Sequence, residues 1–406
     1  MKRLFLNFRT MAIMAIAISM AACSGDDNNN DGPGNNNGGD NGGGKKPPVS
    51  SIVSGGNLLS GILTGEETLE AKEYILNGTV VIAEGGRLNI PAGTVVKAKD
   101  GFSNYLLVAQ GGQLYADGTA SKPIVFTSAN DKPKAGAWGG IILNGRAPIS
   151  GANADMSDTG LTEIDNSYKY GGNKADDNSG SLTYVEILYA GARSTADIEH
   201  NGLTLNGVGS GTKIENIYVY ESADDGIEFF GGTVNVENLL VVNPDDDMFD
   251  FTQGYSGTLT NCYGVWESDY TSTESDPRGV EADGNLDGLY PDHLRQSDFK
   301  IMNMTIVNNA ANTTNNVDRM QDAIKIRRGA KVRIVNALTE GTGGTVDLID
   351  MTDSKGNGDP NSYIDIHNHM DRENVLNGEL LNLIYDDEPE NNGANPALFE
   401  WTGYDL

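Results

Sequence analysis

The chain has 406 residues, with 57 Asp and Glu against 28 Lys and Arg, and a formal net charge of −29. That balance excludes a general nucleic-acid binder and a polybasic membrane-surface protein, because a polyanion or an anionic bilayer would repel it; cations are the favoured small partners. The length exceeds one small domain unless that domain is an elongated repeat or a large barrel, and two cysteines rule out a disulfide framework.

Lys2, Arg3 and Arg9 precede an apolar run over residues 11–22, followed by Cys23. The run is about half the ~20 residues needed to span a bilayer, so residues 1–22 read as a secretion signal. The small residues before Cys23 resemble the lipobox of bacterial lipoproteins, with Met20 where that motif usually has Leu. The resemblance implies that Cys23 becomes an acylated (palmitate-type) N-terminus anchoring the protein in a membrane. Residues 23–50 are Asn, Gly and Asp closed by Lys45-Lys46-Pro47-Pro48, with nothing apolar to bury, and are expected to form a disordered tether. Asp26 and Asp27 directly after the cysteine resemble the surface-export signal of Bacteroidota lipoproteins, which implies the outer face of the outer membrane.

Beyond the tether the chain repeats. Ile82-Ala-Glu-Gly-Gly-Arg-Leu88 recurs as Val108-Ala-Gln-Gly-Gly-Gln-Leu114, an offset of 26. Ile214-Glu-Asn-Ile-Tyr-Val-Tyr220 with Asp225-Gly-Ile-Glu-Phe229 recurs at an offset of 22 as Val236-Glu-Asn-Leu-Leu-Val-Val242 with Asp247-Met-Phe-Asp-Phe251. Later copies are Ile301 to Val307 with Asp322 to Ile326, and Gly344 to Leu348, 22 beyond the latter. Short alternating apolar segments joined by Gly, Asn and Asp turns, at this period, predict an all-β, right-handed parallel β-helix of roughly a dozen coils. It should occupy residues 51–375 with surface loop insertions, start from a cap near Leu58 and end in a C-terminal cap over residues 376–406, because an open solenoid has two adhesive edges. Asn216, Asn238, Asn261 and Asn303 fall at equivalent turns and predict an asparagine ladder.

Several further segments carry a family resemblance. Asn89 to Val96, Lys122 to Thr127, Trp138 to Pro148, Tyr170 to Asn173, Asp225 to Gly232 and Gly279 to Asn285 together resemble the right-handed parallel β-helix lipoproteins of Bacteroidota, over most of residues 58–310. That resemblance implies the fold and a surface location, and extends to lipoproteins that coat the cell as a surface layer.

The repeat also predicts stacked columns. Ile227, Phe229, Phe249, Phe251, Ile324 and Ile326 should face inward, leaving Glu228, Asp250, Glu281, Lys325 and Asp347 in one outward column. Asp225, Asp247, Arg278 and Asp322 should form a second. Two readings follow. The leading one is a non-enzymatic surface lipoprotein serving in a coat, in adhesion or in ligand capture, with the columns as a charge ladder; its partners would be a surface glycan, a host ligand or a second copy. The alternative is a glycan-binding or polysaccharide-cleaving lyase or hydrolase, with Asp225, Asp247, Glu228, Asp250 and Arg278 as its catalytic set, Lys325 and Arg327 as further basic candidates, and Trp138, Trp266 and Tyr270 as a sugar platform. A concave cleft beside the columns would favour the second reading; a flat flank would favour the first. Asp283-Gly-Asn285-Leu-Asp287-Gly288 supplies oxygens at alternate positions, so Ca2+ is expected there on Asp283, Asn285 and Asp287, with Glu281 as an added ligand. His367-Asn-His369 lacks the partners of a metal site.

Overall fold

In the computed structural model, residues 51–195, 198–311, 320–386 and 392–406 are described. Cys23, the signal and the tether lie outside them. Twenty-five strands hydrogen-bond into one continuous sheet wound as a right-handed parallel β-helix. The alternation of apolar and polar residues dictates this winding, because each short strand can bury one face only and must turn to bury the next.

The coil has three sides. The first sheet stacks Leu58–Leu63, Glu73–Ile82, Leu106–Val108, Ile141–Asn144, Leu203–Asn206, Ile227–Phe230, Phe249–Thr252, Arg278–Asp283, Asp322–Arg327, Gly344–Asp350 and Asp371–Asn377, which makes eleven rungs. The second and third sheets are largely the two halves of single long strands such as Lys213–Tyr220, Val236–Val242, Thr258–Trp266, Asp298–Asn308 and Lys331–Glu340. What bends each of these strands is one left-handed residue. Asn216, Asn238, Asn261, Asn303 and Asn336 have φ of 56°, 56°, 58°, 58° and 57°, a region in which asparagine is among the best-tolerated side chains. Asn238 Nδ2 donates to Asn216 Oδ1 at 3.0 Å and Asn336 Nδ2 to Asn303 Oδ1 at 2.7 Å, while Asn261 Oδ1 accepts from Asn395 N. The expected ladder is present only in part: Asn216–Asn238 and Asn303–Asn336 are bonded pairs, Asn336 being an additional member, and Asn261 between them bonds to Asn395 instead.

Inside, the predicted inward residues Ile227, Phe229, Phe249, Phe251, Ile324 and Ile326 are all fully buried. Phe251 lies between Phe229 at 4.9 Å and Phe299 at 4.2 Å, both stacked, with Tyr255 alongside at 5.4 Å. At the N-terminal end Val53–Ser54 pairs antiparallel with Leu58–Leu63 and sends Ile52 into the core, which closes that edge. The C-terminal stretch differs from the expected cap. Asp371–Asn377 and Asn382–Asp386 are the last rung itself, and residues 392–406 run back along the flank. There Phe399 is buried among Tyr218, Leu240, Tyr263 and Val265 on the outer side of the third sheet. Outward aromatic and aliphatic residues on those rungs needed a cover, and the chain's own end supplies it.

Truncating Phe251 to Ala should cost about 3–5 kcal/mol, because rungs fixed on either side can close the cavity only partly. Urea unfolding monitored by circular dichroism measures it, and a loss below about 1 kcal/mol would contradict the stacked core.

Candidate functional site

The outward residues of the first sheet follow from its register. Thr204, Glu228, Asp250, Glu281 and Lys325 succeed one another on consecutive rungs. The next rung sets Asp350 beside Lys325, and Asp347 beside Asp322, so the expected Lys325–Asp347 neighbourhood is corrected. The repeat lengthens there, from Asp322 to Asp347, by three residues over its 22-residue period. In the upstream column, Asp225 and Asp247 are joined by a hydrogen bond from Asp247 N to Asp225 Oδ1 at 2.9 Å, and Arg278 and Asp322 by an ion pair at 3.2 Å.

The two halves of this face are treated differently. Towards the C-terminus, cations sit between the carboxylates. Arg278 pairs with Glu281 and Asp322 and, at 2.7 Å, with Asp276. Arg327 holds Glu281 and, at 2.6 Å, Asp283; Arg328 also holds Asp283, and Lys325 holds Asp350. Towards the N-terminus, Asp224, Asp225, Glu228, Asp246, Asp247 and Asp250 crowd together with Arg193 at their edge, 3.6 Å from Asp224. One buried oxygen on each of Asp246, Asp247 and Asp250 has no hydrogen-bond partner. Carboxylate oxygens of Asp225, Glu228 and Asp250 lie within 4.8 Å of one another, as do those of Asp224, Asp225 and Asp246, and those of Asp247, Asp250 and Glu281.

Burial followed by like charge raises these acids well above the usual carboxylate range. For Asp225 the main neighbour is Asp224, for Glu228 it is Asp250, for Asp247 it is Asp246, and for Asp250 it is Glu281. Burial and then Glu281 push Asp246 up to about 8.

Above this floor lies a cleft of about 390 Å3, lined by Glu228, Asp250, Glu281, Thr204 and Phe230 below and by loops at its sides. One wall comes from the long insertion after Ile141–Asn144, which carries the hairpin Gly160–Leu161 with Lys169–Tyr170 and contributes Glu163, Ile164 and Tyr170. A second comes from Arg193–Thr195 and Ile198–Glu199, with Glu199 and Asn201; Asn201 donates to Glu228. A third comes from Leu286 and Asp287. Glu163, Glu199 and Asn201 do not stand out in the sequence, because the segments between the rungs carry no repeat. The insertion after Trp266 does not reach the cleft. It folds over Asp245, which accepts from Thr273 N at 2.7 Å.

The expected calcium loop is built otherwise. Asp283 is taken by Arg327 and Arg328. The fully buried Asn285 gives its amide to Gln296 at 2.9 Å and to Arg328 O at 3.1 Å, and accepts from Tyr290 N at 3.0 Å. Asp287, at φ 52°, leaves its side chain largely exposed. Among the described residues, the sets of converging carboxylate oxygens lie instead on the first sheet and in the turns that lead into it. The sugar platform is corrected as well: Trp138 and Trp266 are fully buried, and Tyr270 packs on Trp266 at 5.4 Å. His200 is buried beneath Phe102 and Tyr105, which pushes its imidazole down to about 4, and it accordingly stays neutral.

Asp246 gives a pH prediction. Its unfolded value is near 3.8, so between about 4 and 8 the folded chain holds a proton that the unfolded chain has released, and stability falls as pH rises through that window. In thermal unfolding, Asp246→Asn should gain over the unsubstituted chain progressively from pH 5 to pH 8. An equal difference at both pH values would contradict the assignment.

Residues 61–386 match a family model described as the pectate-lyase like beta helix domain. No curated protein and no solved structure matches the chain.

Proposed function

We propose a glycan-processing role for this chain, which belongs to the pectate-lyase-like beta helix family. The observation that carries the proposal is the concave cleft floored by Glu228 and Asp250, two carboxylates on adjacent rungs with no cation of their own between them. Rungs ~4.8 Å apart bring two such groups close to the ~5–5.5 Å spacing used in glycosidic hydrolysis with retention. Burial raises both carboxylates well above the usual range, which favours a proton shared by the coupled pair. That proton would go to the glycosidic oxygen as the bond to the anomeric carbon breaks. The ionised partner faces the positive charge growing on the sugar ring; water then gives its hydroxyl to the anomeric carbon and its proton back to the carboxylate pair. Asn201, donating to Glu228, is placed to hold that carboxylate in position.

A lyase reading lacks its base, since Arg278, Lys325 and Arg327 are all engaged in ion pairs. The same pairing favours a second reading, capture of a glycan without cleavage as part of a cell-surface coat. Ca2+ is proposed on Asp224, Asp225 and Asp246, whose oxygens converge and of which Asp246 keeps one unsatisfied. Bound there, the ion would supply positive charge beside the catalytic pair and stiffen the rungs beneath it. The likeness of residues 11–23 to a lipobox, and of the acidic tether to a surface-export signal, supports a Bacteroidota-type lipoprotein anchored through Cys23 and facing outward.

Incubation with neutral and acidic polysaccharides, read by new reducing ends and by co-sedimentation, tests the first reading. Release should fall at least about 100-fold in Glu228→Gln and in Asp250→Asn. Retention without release would favour capture, and neither signal would remove the glycan proposal. For the anchor, Cys23→Ala should shift the protein from the membrane fraction to the medium or leave it unprocessed, and unchanged membrane retention would overturn it.

A further inference from the structure

The second sheet carries a feature of opposite sign. On the neighbouring strands Asp298–Asn308 and Lys331–Glu340 the register sets Lys300 beside Arg333 and Asp298 beside Lys331, and the next two rungs continue the Arg333 column with Tyr363 and Asn382. Lys300 and Arg333 are both exposed, one strand spacing of ~4.8 Å apart, with no acid interleaved.

Pairing elsewhere in the chain makes this unusual. Among the described residues, Arg87, Arg146, Arg193, Arg278, Arg327 and Arg328 each form an ion pair. Arg295 and Arg333 form none, although acids outnumber bases 57 to 28. Arg333 lies over the Tyr363 ring at 4.2 Å. Arg295 donates from Nε to Gly254 O at 2.8 Å and from one Nη to Ser256 Oγ, while its other Nη meets the Met156 sulfur at 3.9 Å. These neutral partners hold the guanidinium in place without cancelling its charge, and burial pushes it below the usual arginine range.

Both arginines open on one trough. A depression of about 480 Å3 lined by Arg295 and Lys331 adjoins one of about 380 Å3 lined by Lys300, Lys331 and Arg333, and Asp298 and Lys331 line both. Its two acids are weak counterweights. Asp298 stands 4.0 Å from Lys331 with its side chain 68% exposed, and Asp359 Oδ1 accepts from both Asn361 N and Asn361 Nδ2 at 2.8 Å. Charge acts over about 8 Å at physiological salt, so these local groups, and not the overall −29, decide what the trough attracts.

We propose that this trough is a second ligand site, separate from the cleft, and that it takes a short acidic oligosaccharide through carboxylate or sulfate groups. Anionic oxygens would give Arg295 the counter-charge it lacks and bridge Lys300 and Arg333 through charge-assisted hydrogen bonds. The hydroxyl and amide groups of Ser256, Gln296, Asn361 and Asn382 line the rest, as a hydroxylated ligand requires. Leu294 is the one exposed large aliphatic side chain of the lining, so a peptide held by apolar anchors finds little there. The site is independent of what the cleft does and involves no cleavage.

The test is titration calorimetry of the full chain with tetragalacturonate, a sulfated galactan tetrasaccharide, uncharged galactotetraose and tetraglutamate. At least one acidic saccharide should bind about tenfold or more tighter than galactotetraose, and added salt should weaken it. Lys300→Glu plus Arg333→Glu, at exposed positions, should lower that affinity at least about tenfold, and Arg295→Gln about fivefold. Glu228→Gln plus Asp250→Asn should leave it within about twofold, since the cleft lies on another sheet. Equal affinity for acidic and neutral saccharides, tighter binding of tetraglutamate than of either acidic saccharide, or loss in the cleft variant with none in the trough variants would overturn the proposal. None of these outcomes bears on release of reducing ends, so the two readings fail separately.

Discussion

Every rung of a parallel solenoid lies one strand spacing, about 4.8 Å, from the next, so a residue type that recurs with the repeat is stacked upon itself. For apolar rings and amides this is favourable. Phe229, Phe251 and Phe299 stack face to face in the core, and the left-handed asparagines pass amide hydrogen bonds from coil to coil. For carboxylates it is costly, and the outward face of the first sheet is arranged around that cost.

Two solutions share that one face. Where the repeat substitutes Arg278, Lys325 and Arg327 for an acid, opposite charges interleave and the ladder becomes structural. Where it keeps Asp225, Glu228, Asp247 and Asp250, no side chain cancels the charge between them, and protons or a bound cation must. Glu281 marks the border, held by Arg278 and Arg327 on one side and neighbouring Asp250 on the other. The cleft opens over this border, so its chemistry is set by where the repeat stops supplying cations.

Much of this was legible in advance because recurring segments, 22 residues apart at Glu228 and Asp250 and recognisable by their own pattern at Glu281 and Lys325, fix which residue lies under which. The inward set from Ile227 to Ile326 and the column from Glu228 to Lys325 follow from it. The reading failed where the offset changed, as at Asp347, and where the chain leaves the repeat, as in the walls carrying Glu163 and Glu199. The loop over residues 283–287 is built differently from what its composition suggests, for a subtler reason. Alternating oxygens in residues 283–287 describe composition along the chain, whereas Arg327 arrives from the next rung to bind Asp283. That neighbour was in principle readable, since Asp283 follows the inward Ala282 as Arg327 follows the inward Ile326. Asn336, which follows Ile334 and Val335 as Asn303 follows Ile301 and Met302, was readable by the same rule.

The returning end of the chain alters how the stack can come apart. A solenoid in which each rung touches only its neighbours opens like a zipper, from either end, at the local strength of each interface. Residues 392–406 cross that order. Asn395 N is bonded to Asn261, Ala394 N to Thr305 at 2.9 Å and Asn336 to Gly393 O at 3.1 Å, while the Tyr404 hydroxyl donates to Glu267 at 3.0 Å. Three central rungs are thereby laced to one segment, and fraying from the C-terminal edge must stop there unless the lacing is released as a whole. Because the lace lies C-terminal to these rungs, they can wind in sequence as the polypeptide emerges and be tied only after residues 392–406 have followed them.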